Sequence, residues 1–259
     1  MRLAIAMLCV AACGGSEPEG RTAAPTAPEA SPALRRPQPL PEAQPFALTT
    51  PDGYRLHGDL WPGDMRRPAI VLLHQLGSDR REWAPLVAKL HPLGAPILAM
   101  DLRGHAQSAL RAGQLAHWRS FTEEDWAKLP DDLNRVLDEL SARGARRFVL
   151  IGSSIGSSAA LLTAAGRRDV AGVVALSPGR AYRGLDVLAP ATELSAPLLA
   201  IAAEGEAPAR ETAEELARIA PAGQALIVHG SAHGVRMRAA APDLDERIVA
   251  FVRRVSADG

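Results

Sequence analysis

Apolar residues of this chain form two alternating patterns from residue 69 onward. Short runs of aliphatic residues are followed by stretches in which apolar positions recur every three to four residues. The runs have the length of buried strands, and the stretches have the period of amphipathic helices. The predicted strands cover residues 69–73, 96–100, 148–151, 172–176, 197–202 and 225–228, and the predicted helices cover residues 81–90, 131–141, 154–165, 210–219 and 244–254. Strands that alternate with helices predict right-handed crossovers and a mainly parallel sheet.

The sequence ahead of these strands predicts an antiparallel hairpin. The segments FALTT and YRLHGDLW flank Pro51-Asp52-Gly53, which is a strong turn signal. The pattern contains neither an internal repeat nor a second domain. Residues 46–255 are therefore predicted to form one α/β unit, a three-layer sandwich with the sheet in the middle.

The first residues have the pattern of a cleaved leader. Arg2 precedes an apolar run over residues 3–12, which is as long as a signal-peptide core and too short to span a bilayer. The segment VAAC, residues 10–13, resembles the lipobox of bacterial lipoproteins. In these proteins the leader is cut before the cysteine, which then carries a diacylglyceryl group and an N-acyl chain, with palmitate as a typical acyl group. The resemblance implies a signal peptide over residues 1–12 and a lipid anchor on Cys13. An ordinary secretory leader is the alternative.

The segment from Cys13 to residue 45 is rich in proline and poor in large apolar residues. Such a composition cannot bury enough apolar surface to fold, and it favours extended polyproline II conformations. We therefore expect a tether between the anchor and the folded unit. Gly14 stands where many diderm lipoproteins carry the aspartate that retains them at the inner membrane. The expected location is the bacterial cell envelope, on the periplasmic or surface side, with the outer membrane favoured.

Charge and cysteine content exclude several kinds of function. The chain has 29 basic and 29 acidic residues and no basic stripe, so nucleic acid is not an expected partner. The two cysteines, Cys9 and Cys13, both lie in the leader region. The rest of the chain therefore has no disulfide framework, no thiolate nucleophile and no cysteine metal site.

The segment Gly152-Ser153-Ser154-Ile155-Gly156 places a hydroxyl between glycines where a predicted strand becomes a helix. It matches G-x-S-x-G with Ser154 at the centre. A nucleophile on such a sharp turn needs small neighbours, because strand and helix must approach each other closely. The helix N-terminus also favours negative charge that develops nearby. Ser154 is thus the candidate nucleophile, and a packing contact between small residues is the alternative.

A serine hydroxyl needs a neighbouring base, and that base needs an acid that orients it. The segment VHGSAHG follows the last predicted strand and offers His229 and His233. We favour His233 as the base because it lies farther along the loop, whereas His229 is expected to pack or cap. After the strand at residues 197–202, the loop offers Glu204 and Glu206. Glu206 is favoured, with two solvated loop carboxylates as the alternative.

The turn after the first parallel strand, LLHQLGSDR, can direct backbone N–H groups at a developing oxyanion. Leu76 is the predicted first donor, and Ile155, which directly follows the nucleophile, is the predicted second donor. Both act through their backbone, so their side chains carry little information.

Several segments together resemble the α/β-hydrolase family over about residues 46–255. HQLG stands where the family has its H-G-x-G oxyanion turn, and DLRGHAQS resembles the D-x-R-G-H-G-x-S segment after the next strand. GSSIG resembles the nucleophile elbow, and GSAHG resembles the terminal histidine loop. AEGE resembles the family's G-E-x-D, which places the acid at Glu206.

This chain departs from the family pattern at Gln75 and Ala106, which replace glycines, and at Glu206, which replaces the commoner aspartate. None of these changes removes a needed functional group. The family often inserts a cap domain after the sixth strand, but here only residues 179–196 separate two strands, so at most a minimal cap is expected. The resemblance also implies that three side chains brace the oxyanion loop: Asp101, Arg103 and His105.

The resemblance implies a serine hydrolase that cleaves a small carboxylic ester through an acyl-enzyme intermediate, without metal or organic cofactor. A minimal cap favours a short or protruding acyl group. A serine peptidase, a thioesterase or a cofactor-free perhydrolase of the same fold is an alternative. So is a surface lipoprotein that kept the fold for binding or for a structural role. The aromatic residues of the loop at 106–129 are expected to pack on the next helix rather than to line the site: Trp118, Phe121 and Trp126.

Overall fold

An eight-stranded sheet forms the centre of the part of the chain that this computed structural model describes, residues 40–257. The predicted leader, Cys13 and most of the tether lie outside these residues. The strands are β1 (Gln44–Thr49), β2 (Arg55–Trp61), β3 (Ala69–Leu73), β4 (Ile97–Asp101), β5 (Phe148–Ser153), β6 (Val170–Leu176), β7 (Leu198–Ala203) and β8 (Gly223–Val228).

The spatial order of the strands is β1-β2-β4-β3-β5-β6-β7-β8. Strand β2 runs antiparallel to both of its neighbours, β1 and β4, while β3 to β8 are mutually parallel. The strands from β3 to β7 are buried along their whole length, which explains why they read as continuous apolar runs. The mainly parallel sheet predicted from the sequence is confirmed.

Helices cover both faces of the sheet. The helices are α1 (Ala84–Leu90), α2 (Glu123–Ala127), α3 (Leu129–Ala142), α4 (Ile155–Ala165), α5 (Leu188–Ala191), α6 (Ala207–Ile219) and α7 (Leu244–Ala257). Buried side chains of α3, α4, α5 and α6 pack in one apolar cluster, and those of α1 and α7 pack in another. Adjacent strand residues divide between the clusters, with Val71 in the first and Leu72 in the second. The molecule is therefore a three-layer sandwich, as predicted.

Local chemistry explains where elements differ from their predicted bounds. The stretch predicted as one helix over residues 81–90 consists of a 3-10 turn, Arg80–Trp83, followed by α1. Pro85 lacks an N–H and is tolerated only in the first turn of a helix, so the α-helix begins beside it. Strand β1 begins at Gln44, two residues before the predicted start of the folded unit.

The connection between β6 and β7 confirms that the cap is minimal. It contains a short antiparallel hairpin with two residues in each strand, Ala181–Tyr182 and Leu185–Asp186, and the single turn of α5. In the segment before α3, Trp126 of α2 is buried, and its ring and that of Phe121 meet edge to face at 4.9 Å between centroids. These aromatic rings pack, as expected. No helix within residues 40–257 is long and apolar enough to cross a membrane.

Candidate active site

Ser154 occupies the sharp turn between β5 and α4. Its backbone lies at φ 53° and ψ −116°, a conformation that non-glycine residues rarely adopt. A Cβ on Gly152 would overlap the carbonyl group of Gly156, and a Cβ on Gly156 would overlap the carbonyl group of Leu73. Glycine is therefore required at both positions for β5, α4 and β3 to approach. The result is a partly exposed hydroxyl at the carboxyl end of the sheet.

His233 and Glu206 meet at the same edge of the sheet. His233 Nδ1 and Glu206 Oε1 are in hydrogen-bond contact. Glu206 lies at the N-terminal end of α6, and His233 lies just before a 3-10 turn, Gly234–Ala239. The Glu206 side chain is 17% exposed and the His233 side chain 43% exposed, so the imidazole lies between a sheltered carboxylate and solvent.

The alternative histidine and glutamate form a second pair. His229 Nδ1 lies 2.5 Å from Glu204 Oε1, but these side chains are 84% and 52% exposed. We expected His229 to pack or cap, and that expectation was wrong, because the side chain points into solvent. Neither member of this pair lines the cavity that Ser154 lines.

The loop after β6 adds a residue that the sequence analysis missed. Ser177 Oγ donates to Glu206 Oε2 at 2.7 Å and accepts from the backbone N–H of Gly234 at 2.8 Å. Ser177 is buried and has a φ of 45°. A serine after a strand gave no pattern of its own, so only the folded arrangement reveals this link.

The turn after β3 brings Leu76 to the same cavity as Ser154. Within residues 40–257, neither the Leu76 amide nor the Ile155 amide donates a hydrogen bond to another protein group. Ile155 is the first residue of α4, where backbone N–H groups lack intrahelical acceptors. Both amides are therefore available as hydrogen-bond donors.

Glu82 supports the turn after β3 through a hydrogen bond to its backbone. Its Oε1 accepts the backbone N–H of Gln75 at 3.1 Å, while its Oε2 is buried without a protein partner among the described residues. Burial raises the pKa of Glu82 to about 7, although the Ser78 hydroxyl, the Gln75 N–H and the charge of Arg238 act in the opposite direction. The sequence analysis missed Glu82, since it appears in no motif.

Two buried histidines connect the turn after β3 to the segment after β4. His74 Nδ1 donates to the carbonyl of Gln75 at 2.8 Å, and His74 Nε2 accepts the N–H of Leu102 at 2.9 Å, which fixes a neutral tautomer. His105 packs edge-on against His74 at 4.9 Å between centroids and stacks on Trp118. Burial lowers the pKa of each imidazole to about 4.

The three residues expected to brace the oxyanion loop divide between two tasks. Asp101 accepts the backbone N–H of Arg80 at 2.9 Å and pairs with its guanidinium, and His105 contacts His74, so both support the loop. The expectation was wrong for Arg103, whose guanidinium joins Asp132 of α3 at 2.6 Å and Asp52 at 3.0 Å. It therefore fixes the β1–β2 turn against a helix.

The candidate catalytic residues line one cavity of about 560 Å³. Ser154, His233, Glu206, Leu76 and Ser177 all line it. Its lining also includes charged side chains from α6 and from the loops after β6 and His233: Arg180, Glu211, Glu215 and Arg236. Among residues 40–257, no cluster of three or more His, Cys, Asp or Glu side chains could hold a metal ion.

This sheet order, with a strained serine after β5 and a histidine–carboxylate pair beyond β7 and β8, defines an α/β-hydrolase. The family model described as "Serine aminopeptidase, S33" matches residues 64–225, more than half of the chain. The chain belongs to this family, and it is a hydrolase of the α/β-hydrolase class.

Solved structures of low sequence identity share the fold. An esterase from Pyrococcus furiosus is 19% identical with a TM-score of 0.63, covering 82% of this chain and 91% of its own. An esterase from Thermogutta terrifontis is 19% identical with a TM-score of 0.63, covering 83% of this chain and 100% of its own. A proline iminopeptidase from Mycobacterium smegmatis is 12% identical with a TM-score of 0.65, covering 82% of this chain and 99% of its own.

A curated relative matches a shorter segment. The 2-succinyl-6-hydroxy-2,4-cyclohexadiene-1-carboxylate synthase of Salmonella paratyphi C is 30% identical over 110 residues. The match covers 42% of this chain and 37% of that enzyme. The chain thus spans little more than a third of that relative's length.

Proposed function

We propose that the protein is a serine hydrolase that cleaves a carboxylic ester through an acyl-enzyme intermediate. Ser154 is the nucleophile, His233 is the general base and acid, and Glu206 is the carboxylate that orients the imidazole. The observation that carries the proposal is the contact of His233 Nδ1 with Glu206 Oε1 in the cavity that Ser154 lines. With Nδ1 held by Glu206, Nε2 is the ring nitrogen left to exchange a proton with Ser154.

The proposed reaction has two displacement steps. Ser154 Oγ attacks the ester carbonyl as His233 accepts its proton, and the tetrahedral intermediate expels the alcohol as His233 returns that proton. Water then attacks the acyl-enzyme by the same proton transfers, which releases the acid and restores Ser154. The amides of Leu76 and Ile155 stabilise the oxyanion in both steps, since neither is used by another protein group within residues 40–257.

The cavity supports an ester with a small or protruding acyl group. Its volume of about 560 Å³ lies in the range of small-molecule sites, and the cap above it is one short hairpin and a single helical turn. The charged residues of the lining, Arg236 and Glu211 among them, favour substrates that carry a polar group as well as the ester.

An amide substrate is the second candidate. The family description names a serine aminopeptidase, and Glu211 places a carboxylate in the cavity lining that can pair with a substrate amine. Glu215, which also lines the cavity, pairs with Arg180 and Arg218. Thioesters share the same chemistry. Rates on matched ester, thioester and aminoacyl amide substrates separate these reactions.

We also propose that the enzyme is a lipoprotein, anchored through Cys13 at the bacterial envelope. The support is the lipobox-like segment at residues 10–13 and the proline-rich segment after it. Globomycin treatment of expressing cells tests the anchor. Accumulation of an uncleaved, lipid-modified precursor is expected, and its absence together with cleavage at another site would exclude the lipidation.

The catalytic proposal is tested by hydrolysis of nitrophenyl esters of increasing acyl length. We expect turnover of acetate and butyrate to exceed turnover of long-chain esters, and Ser154→Ala to abolish it. The matched control is Ser158→Ala, which removes a buried α4 hydroxyl that has no hydrogen-bond partner among the described residues. Full activity of Ser154→Ala would exclude the mechanism.

A further inference from the structure

Ser177 links the loop that carries Glu206 to the loop that carries His233. Its hydroxyl lies 2.7 Å from Glu206 Oε2 and 2.8 Å from the backbone nitrogen of Gly234, the residue directly after His233. Glu206 thus has one oxygen on His233 and the other on Ser177. Among the described residues, no side chain outside these two loops other than Ser177 forms hydrogen bonds with both of them.

The direction of each hydrogen bond is fixed by chemistry. The Gly234 amide can only donate, so the Ser177 oxygen accepts there, and the single hydroxyl proton must go to the Glu206 carboxylate. A hydroxyl performs both roles at once, whereas alanine performs neither. A bond to an ionised group is also stronger than a neutral one.

The backbone places this hydroxyl. Ser177 lies at φ 45°, a strained conformation for a residue with a side chain, and its N–H donates to the Ile201 carbonyl of β7 at 2.7 Å. Strand β7 is the strand that leads into Glu206. Such strain persists where surrounding contacts determine the position, and it is often found at functional sites.

We propose that Ser177 is a positioning residue of the catalytic apparatus, which orients Glu206 toward His233 and holds the histidine loop in place. This inference rests on the proposed function. Because Ser177 acts through Glu206, it affects the chemical step rather than substrate binding. Without the hydroxyl, the carboxylate can rotate away from His233, and the Gly234 amide loses its acceptor in a buried place.

The test is a double-mutant cycle in the full-length protein with Ser177→Ala and Glu206→Gln. We expect Ser177→Ala to lower kcat by about 10- to 100-fold, the value of one or two hydrogen bonds. KM for a short nitrophenyl ester is expected to remain unchanged. In the Glu206→Gln background, Ser177→Ala is expected to have little further effect on kcat. Ser177→Ala is also expected to shift the acidic limb of the pH–rate profile when Glu206 is present, and not in the Glu206→Gln background. The control is again Ser158→Ala.

Ser177→Gly separates catalysis from stability. Glycine adopts positive φ freely, so this variant relieves the strain while it removes the hydroxyl. We expect a fully folded protein with the same loss of kcat as Ser177→Ala. Wild-type kcat in either folded variant, or an equal loss in the presence and absence of Glu206, would overturn the inference. If the wild-type protein itself hydrolyses none of the substrates, the proposed function fails instead.

Discussion

Gly234 packs directly against the side chain of Gln75. A Cβ on Gly234 would overlap Gln75 Oε1 and also the hydroxyl of Ser153. Gly234 has a φ of 58° and directly follows His233, whereas Gln75 directly precedes the predicted oxyanion donor Leu76. The loop of the proposed base and the turn of the proposed oxyanion donor therefore touch without an intervening layer.

This contact predicts that Gly234→Ala lowers the activity of the enzyme. The added methyl group must displace either the Gln75 side chain or the loop that carries His233, and alanine is strained at positive φ. We expect kcat/KM to fall by on the order of 100-fold, because small misplacements of a catalytic group are costly. Kinetics with a short nitrophenyl ester give the measurement. Gly113→Ala is the control, since its φ is also positive and no atom lies near its missing Cβ.

The two histidine–glutamate pairs predict opposite outcomes for similar substitutions. Glu206→Gln should lower kcat by on the order of 10²–10⁴-fold, because the amide no longer stabilises the imidazolium that forms during the reaction. Glu204→Gln should leave kcat unchanged, since Glu204 pairs with the exposed His229 outside the cavity. Steady-state rates of both variants provide the comparison. Equal losses would contradict the assignment of the pairs.

The burial of Glu82 predicts that the folded protein becomes less stable as the pH rises. Its pKa is raised from 4.5 to about 7 in the folded protein, so the folded state binds the proton more tightly than the unfolded state. Stability from this group is present below pH 4.5 and is lost as the pH rises to about 7, at a cost on the order of 2–3 kcal/mol.

Glu82→Gln should remove this loss, because the amide oxygen can still accept the Gln75 N–H without a buried charge. Urea unfolding between pH 5 and pH 8 is the measurement, in steps of about one unit. The variant is expected to be more stable than the wild type at pH 8. Parallel pH dependences of the two proteins would show that Glu82 does not titrate in this range.

The burial of His74 and His105 predicts that the folded protein also becomes less stable as the pH falls into the acid range. The pKa of each imidazole is lowered from 6.5 to about 4 by burial, so the unfolded state binds more protons between these values. Stability is present above pH 6.5 and is lost as the pH falls to about 4, by on the order of 3 kcal/mol for each histidine.

His105→Phe should weaken this acid dependence while it retains the stacking on Trp118. The free energy of unfolding at pH 7 and at pH 4.5 gives the two values to compare. An acid-induced loss as large in the variant as in the wild type would show that His105 is not one of the titrating groups.

The sequence predicted the sheet and the elbow well because both depend on local rules. Aliphatic runs such as β3 and β6 are buried on both faces, so their composition alone marks them as strands. The requirement for Gly152 also follows from a single strand-to-helix turn, because its Cβ would meet Gly156, whereas the requirement for Gly156 arises from Leu73 of β3. Such features are visible within a few residues of chain.

The links between distant loops could not be predicted in the same way. Ser177 and Glu206 are separated by 29 positions, and Arg103 and Asp132 also by 29, so no local pattern marks these contacts. The exposure of His229 was missed because a histidine directly after a strand gives no sign of which way its side chain points. Long-range polar contacts become visible only when the loops are placed at the sheet edge.

Covalent labelling of the serine tests the central claim most directly. The full-length protein is treated with a fluorophosphonate, and intact mass and peptide mapping locate the adduct, with Ser154→Ala and Glu206→Gln treated in parallel. The account predicts one adduct on Ser154 in the wild type, none in Ser154→Ala and slow labelling in Glu206→Gln. A folded wild-type protein that remains unlabelled, or one that is labelled at another serine, would contradict it.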